Sequence, residues 1–193
     1  MLSLPILGVL LVLAAGFMVA ERLGAPVVLE LHFKGDIKRE GQWFAQYGQA
    51  ACTVVAAGLV WQLDGHRRSG GRYPVVILVA AVFGTSIISM LIKRLLGRVR
   101  PRREQAGQFL GPTWRHANYR ESFPSSHSAC AVAMSVVLSQ LYPPAAGIFW
   151  TLGIITAVLR YLMDAHWPSD VLGGVALGYA AAHLTWRLGA GFP

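Results

Sequence analysis

Charge is scarce in this sequence. Only 13% of its 193 residues are Asp, Glu, Lys or Arg, nine of them acidic and seventeen basic. An ordinary soluble domain carries about a quarter, so composition argues against that class. Cysteine is scarcer still. Cys52 and Cys130 fall in separate apolar stretches, with neither metal-ligand spacing nor a disulfide context, and are read as packing residues. Met1–Ala20 lacks the basic n-region of a secretory leader, although Ala14, Ala15 and Gly16 are small enough for a cleavage site; the stretch is expected to be a retained span. No internal repeat or low-complexity tract divides the chain. Residues 1–193 therefore read as one membrane domain, with a motif-bearing core at about 73–188.

What is abundant is apolar side chain, 54% of the total. It gathers at Leu4–Ala20, Trp43–Leu63, Tyr73–Ile92, Ser126–Leu141, Ala145–Met163 and Val171–Trp186, most near the roughly 20 residues that cross a bilayer as helix. Five of the six hold no Lys, Arg, Asp or Glu; the fifth in order holds Arg160 near its end. The expected fold is all-α, an integral membrane bundle of six transmembrane helices; the alternative is a soluble all-α protein with buried helices. Trp43, Trp61, Trp150, Trp167 and Trp186 lie near span ends, as an aromatic belt requires.

Two connections are long. Glu21–Gln42 sets Val27, Val28, Leu29, Leu31 and Phe33 among charges, which suits a segment in the headgroup region or a solvated loop. Lys93–Phe123 carries eight basic residues against Glu104 and Glu121, and Pro101 and Pro112 break any helix in it. In a six-span chain the end of the third helix, the start of the fourth, the end of the fifth and the start of the sixth share one membrane face. Three polar clusters stand there: Lys93 with Arg100 and Pro101; Pro124, Ser125, Ser126 and His127; and Arg160 with His166 and Asp170.

Phosphoryl transfer spreads negative charge over non-bridging oxygens, and such a site needs fixed cations and amide donors. Lys93, Arg100 and Arg160 supply cations. The amides of Ser125, Ser126 and His127 are expected to face an anion at a helix N-terminus, with Pro124 in the first turn. Two histidines permit one to attack phosphorus while the other protonates the leaving oxygen and later activates water. Asp170, four residues after His166, is expected to accept a hydrogen bond from one imidazole nitrogen and leave the other facing substrate.

These motifs resemble the type 2 phosphatidic acid phosphatases. Lys93 through Arg100 and Pro101 matches the family's Lys, six residues, Arg-Pro. Pro124-Ser125-Ser126-His127 matches Pro-Ser-Gly-His with Ser126 for glycine. Leu159-Arg160, His166 and Asp170 match Ser-Arg, five residues, His, three residues, Asp, with Leu159 for serine. The resemblance spans about Lys93–Asp170. It implies His166 as nucleophile, Asp170 as its orienting partner and His127 as general acid, with phosphate bound by Lys93, Arg100, Ser125, Arg160 and the Ser126 amide. Ser126 adds a side chain that either crowds the phosphate or gives it a hydroxyl; Leu159 removes a hydroxyl beside Arg160.

The implied activity is hydrolysis of a lipid phosphomonoester or diphosphate through phosphohistidine, with no metal and no other cofactor. The partners are a phosphorylated lipid substrate and membrane lipids, with no nucleic acid. Polyprenyl diphosphate, phosphatidic acid, phosphatidylglycerophosphate and a phosphorylated glycolipid are open as substrates. A lipid phosphotransferase and a non-catalytic lipid transporter are the other readings. Arg94, Arg98, Arg102 and Arg103 match no motif place and are expected to hold headgroups or attract anionic substrate. His32, His66, His116 and His183 get no role, and Asp164 a minor one. The basic residues of the motif face favour a cytoplasmic site by the positive-inside rule. The resemblance favours the outer face of a bacterial cytoplasmic membrane, which is the side expected here.

Overall fold

A computed structural model of the chain describes residues 3–27, 29, 33–64, 73–163 and 166–189. Among these every regular element is helical: α1 Leu4–Arg22, α2 Gly35–Phe44, α3 Ala50–Asp64, α4 Pro74–Leu96, α5 Ser126–Leu141, α6 Ala146–Leu162 and α7 Pro168–Leu188, with short 3-10 turns at Asn118–Arg120 and Pro143–Ala145. Apolar side chains point outward in numbers that water would not tolerate. Leu4, Val9, Val12, Val19, Val54, Val55, Leu59, Val76, Ile87, Leu91 and Ile148 are all exposed, and Ala14 is the buried residue of α1. An apolar exterior on long apolar helices marks hydrocarbon as the solvent.

Three helical segments are long and apolar enough to cross a bilayer: Leu4–Arg22, Pro74–Leu96 and Pro143–Leu162. The sequence reading counts six. Of the other three, α3 and α5 are apolar but have 15 and 16 residues, about 23 Å of rise against a hydrocarbon layer of about 30 Å. α7 has 21 residues, diluted by glycines and by Asp170, His183 and Thr185. The expected stretch Trp43–Leu63 is broken, because α2 ends at Phe44 and a turn intervenes before α3. Gly48 sits in that turn at φ +81°, so close to α5 that a Cβ there would lie 2.4 Å from the Ala131 amide nitrogen. In the first long connection Gly35–Phe44 forms α2, a polar, exposed helix with an Asp36–Arg39 ion pair at 3.0 Å, while Val28 and Leu31 of the apolar segment expected before it lie outside the described residues.

α5 is the axis of the bundle. It packs on α4, α6 and α7, and every residue from Ser128 to Leu138 is buried. Small residues permit this. A Cβ on Gly178 of α7 would meet the Ala129 carbonyl oxygen at 2.1 Å, and one on Gly174 the Ser125 carbonyl oxygen at 2.5 Å. Where lipid is as apolar as leucine, close backbone approach rather than hydrophobic burial is what holds helices together. The α5–α7 contact brings the start of both helices to one end of the bundle.

Candidate active site

The chain path after α4 begins the site. Gly97 caps α4 in the left-handed conformation at φ 62°, and a Cβ there would lie 2.2 Å from the Gly111 carbonyl oxygen. The connection therefore folds back on the helix end. Its backbone is bonded to itself through Val99 N–H to Gln108 O (2.9 Å), Leu110 N–H to Gly97 O (3.1 Å), Arg100 N–H to Tyr119 O (2.9 Å) and Ser122 N–H to Arg98 O (3.0 Å). Lys93, buried in the last turn of α4, donates to the Glu121 carbonyl at 3.0 Å, and Arg100 Nε donates to the Asn118 carbonyl at 2.8 Å. The basic connection is irregular, as its prolines require, yet it is a fixed platform that holds both cations.

Ser125 is the N-cap of α5 and Pro124 lies just before it, outside the first turn where the sequence reading sets it. The Ser125 amide does not face an anion as expected, because it donates to the Asp170 carbonyl at 2.9 Å. Its hydroxyl accepts from Ser128 Oγ at 2.9 Å and from the Ser128 amide at 3.4 Å, leaving its own hydrogen to donate. Ser126 and His127 form the first turn, whose amides have no partner within the helix. The Ser126 hydroxyl turns to Ser89 of α4, 2.7 Å away, so the extra side chain is absorbed between helices. Leu159 faces α2, where its Cδ2 lies 3.6 Å from the Cβ position of Gly41.

His166 is buried between α6 and α7. Its Nδ1 lies 2.9 Å from the Ser122 carbonyl oxygen. A carbonyl only accepts, so the proton sits on Nδ1 and Nε2 keeps its lone pair. The partner expected for that proton, Asp170, has Oδ2 at 3.7 Å, too far for a hydrogen bond but close enough to act through charge. Burial pushes the His166 imidazole down from 6.5 to about 3; the Asp170 carboxylate opposes that shift, while Lys93 and Arg100 add to it.

Asp170 is fully buried and saturated with donors. Oδ2 accepts from the Ser122 hydroxyl and from the Trp167 amide at 2.9 Å, and Oδ1 accepts from Arg98 Nη1 at 2.6 Å. Arg98 overturns the reading of it as a headgroup-holding charge. It is 1% exposed, ion-paired at 2.6 Å to both Asp170 and Glu21, and flanked by the Phe109 and Trp167 rings at 5.3 and 5.5 Å. Lys93, Arg100 and Arg160 lie within electrostatic reach of His127, and Lys93 and Arg100 also of His166. Among the described residues the buried Nε of Arg160 finds no hydrogen-bond partner.

Glu21, Ser122 and Ser169 were given no role from sequence, and Arg98 was given a different one. Ser122 and Ser169 carry no signal there. Glu21 had one, since the end of the first span shares the face of the three clusters. His183 packs edge-on against Tyr179, with centroids 4.5 Å apart, and His116 bonds Glu121 at 2.8 Å. His32, His66 and Asp164 lie outside the described residues. No group of three or more His, Cys, Asp or Glu among the described residues could hold a metal ion.

Two histidines and three cations thus gather in this helical membrane protein where four helix ends meet, an arrangement suited to binding a phosphate. The chain belongs to the PAP2 superfamily, whose family model matches residues 74–191. It is 35% identical over 156 residues to a lipid A 1-phosphatase of Rhizobium etli, covering 74% of this chain and 67% of that protein. An undecaprenyl-diphosphatase of Sulfolobus acidocaldarius is 27% identical over 144 residues, covering 70% and 63%. The matched stretch thus spans about two thirds of the length of these curated relatives. The crystal structure of a transmembrane PAP2-type phosphatidylglycerophosphate phosphatase from Bacillus subtilis shares the fold, with a TM-score of 0.59 at 14% identity, covering 96% of this chain and 87% of that one.

Proposed function

We propose that the chain is an integral membrane phosphatase that removes phosphate from a lipid through a phosphohistidine on His166, without a metal. The observation that carries this reading is the buried His166 ring, whose Nδ1–H is held by the Ser122 carbonyl and whose Nε2 keeps its lone pair beside the cations. Nε2 attacks phosphorus; the N–P bond forms as the bond to the lipid oxygen breaks, and His127 gives that oxygen a proton. His127 then takes a proton from water, which attacks the same phosphorus and returns His166 to its neutral form while inorganic phosphate leaves.

Lys93, Arg100 and Arg160 balance the charge on the non-bridging oxygens, with the Ser126 amide and Ser125 hydroxyl as donors. Ser122 and Asp170 keep the nucleophile's proton on Nδ1. All six apolar helices, α1 and α3 to α7, form the membrane part as a single domain, with the site on the outer face. The resemblance to a lipid A 1-phosphatase favours a phosphorylated glycolipid as substrate, with a polyprenyl diphosphate next.

The test is release of inorganic phosphate in detergent with EDTA from a panel of lipids: a phosphorylated glycolipid, undecaprenyl diphosphate, phosphatidic acid and phosphatidylglycerophosphate. Release is expected for at least one, and His166→Ala should lower it by about 10³-fold or more. Equal release by that variant, or release that EDTA abolishes, would overturn the mechanism.

A further inference from the structure

Resting on the phosphatase reading, we propose that Glu21, Arg98 and Ser169 form a positioning relay that reaches from α1 to Asp170 and holds the His166 end of the site in register. Glu21 closes α1, a helix outside residues 74–191 that match the family model. Its side chain is 2% exposed although it sits at a membrane face where water is near. Oε2 accepts from Arg98 Nη2 at 2.6 Å and from the Ser169 hydroxyl at 2.6 Å, and Oε1 accepts from the Ser169 amide at 3.0 Å. Ser169 in turn accepts from Arg98 Nη1 at 2.6 Å, the same nitrogen that holds Asp170 Oδ1.

The geometry assigns the two arms of one guanidinium to two carboxylates. A buried guanidinium with one carboxylate would carry no surplus charge, so a second buried carboxylate is costly unless it does something further. Here Glu21 fixes the rotation of the Arg98 fork, because Nη2 and Nη1 are locked by separate acceptors and the planar group cannot turn about its axis. With Nη1 aimed at Oδ1, Asp170 presents Oδ2 to the Ser122 hydroxyl and the Trp167 amide. Ser122 is the residue whose carbonyl holds His166 Nδ1. The relay thus runs from Glu21 through Arg98 and Asp170 to Ser122 and the nucleophile, and its own residues do not touch substrate. The Phe109 and Trp167 rings also lie against the Arg98 group.

The test compares the full-length wild type with Glu21→Gln and Ser169→Ala in detergent, on whichever lipid the wild type hydrolyses. Glu21→Gln keeps shape and removes the charge; Ser169→Ala removes one hydroxyl and leaves every charge. Competent sites are counted by stoichiometric binding of orthovanadate, a phosphate mimic held by the cations, and kcat is expressed per site. The relay predicts that Glu21→Gln lowers kcat per site by about 10- to 100-fold and Ser169→Ala by about 3- to 10-fold. KM should stay within about 2-fold, because Lys93, Arg100 and Arg160 are untouched. A purely structural role would lower the number of sites and leave kcat per site unchanged, which would overturn the proposal. If Glu21→Gln does not fold, Ser169→Ala alone decides by the same criterion. Absence of phosphate release by the wild type on every lipid would instead remove the phosphatase reading on which the relay rests.

Discussion

At the scale of single residues, the site is governed by where protons can sit. His166 has its pKa pushed to about 3 by burial, with the cations adding to the effect. The folded form is therefore neutral where an unfolded histidine, near 6.5, takes up a proton. Between those values the unfolded chain binds the extra proton, so this group makes stability fall as pH drops from about 6.5 towards 3 and leaves it unchanged above. Thermal unfolding in detergent should show that acid sensitivity, and His166→Gln should lessen it across the same window. If the variant and the wild type lose stability in parallel, the imidazole is not held neutral. Ser126 makes a second prediction. Its hydroxyl is spent on Ser89, so Ser126→Gly should keep phosphate release within about 3-fold. Loss of that bond, with the entropy glycine adds to the unfolded chain, should cost about 1 kcal/mol of stability. A rise in release beyond tenfold would mean that the side chain crowds the phosphate.

At the scale of elements, catalytic geometry depends on how closely α5 and α7 approach. His127 opens one helix and Asp170 the other, and Gly178 lets their backbones touch. A Cβ at Gly178 would sit 2.1 Å from the Ala129 carbonyl oxygen, a backbone atom that cannot swing aside. Gly178→Ala should therefore force the helices apart, at a cost of about 1–3 kcal/mol, and misplace the two histidines. The expected readout is a lower unfolding temperature together with a fall in phosphate release per folded molecule. Gly58→Ala makes the comparison, since that position on α3 has no atom within 4 Å and the substitution should leave both quantities nearly unchanged. Equal effects at the two glycines would remove close approach as the cause.

At the scale of the whole molecule, the asymmetry of interest is which side of the bilayer the site faces. The platform between α4 and α5 carries Trp114, 94% exposed, which makes it a reporter for that face. In Trp114→Cys, with Cys52 and Cys130 replaced by alanine, a membrane-impermeant maleimide added to intact bacterial cells should label the protein. Labelling only after the cells are opened would assign the site to the cytoplasmic side, as the excess of basic residues on that face suggests by itself.

Much of this protein was legible before any coordinates, and the reason is physical. A bilayer demands long apolar runs with satisfied backbones, so helices announce themselves by composition. Phosphate chemistry demands cations and imidazoles, so Lys93, Arg100, His127, Arg160, His166 and Asp170 stood out by type and interval. The break before α3 was hidden because Gly48 looks like any glycine until α5 lies against it. The role of Arg98 was hidden for a like reason: a basic residue in a basic loop reads as surface charge unless its buried acidic partners are known. Those partners, Glu21 and Asp170, lie 77 and 72 residues away along the chain. Sequence alone determined the family of the protein and which chemical groups stand at the shared helix ends, because those depend on residue type and local spacing. Tertiary structure alone decided which carbonyl holds the Nδ1 proton of His166 and which carboxylates flank Arg98, because hydrogen bonds and buried ion pairs are contacts between distant segments.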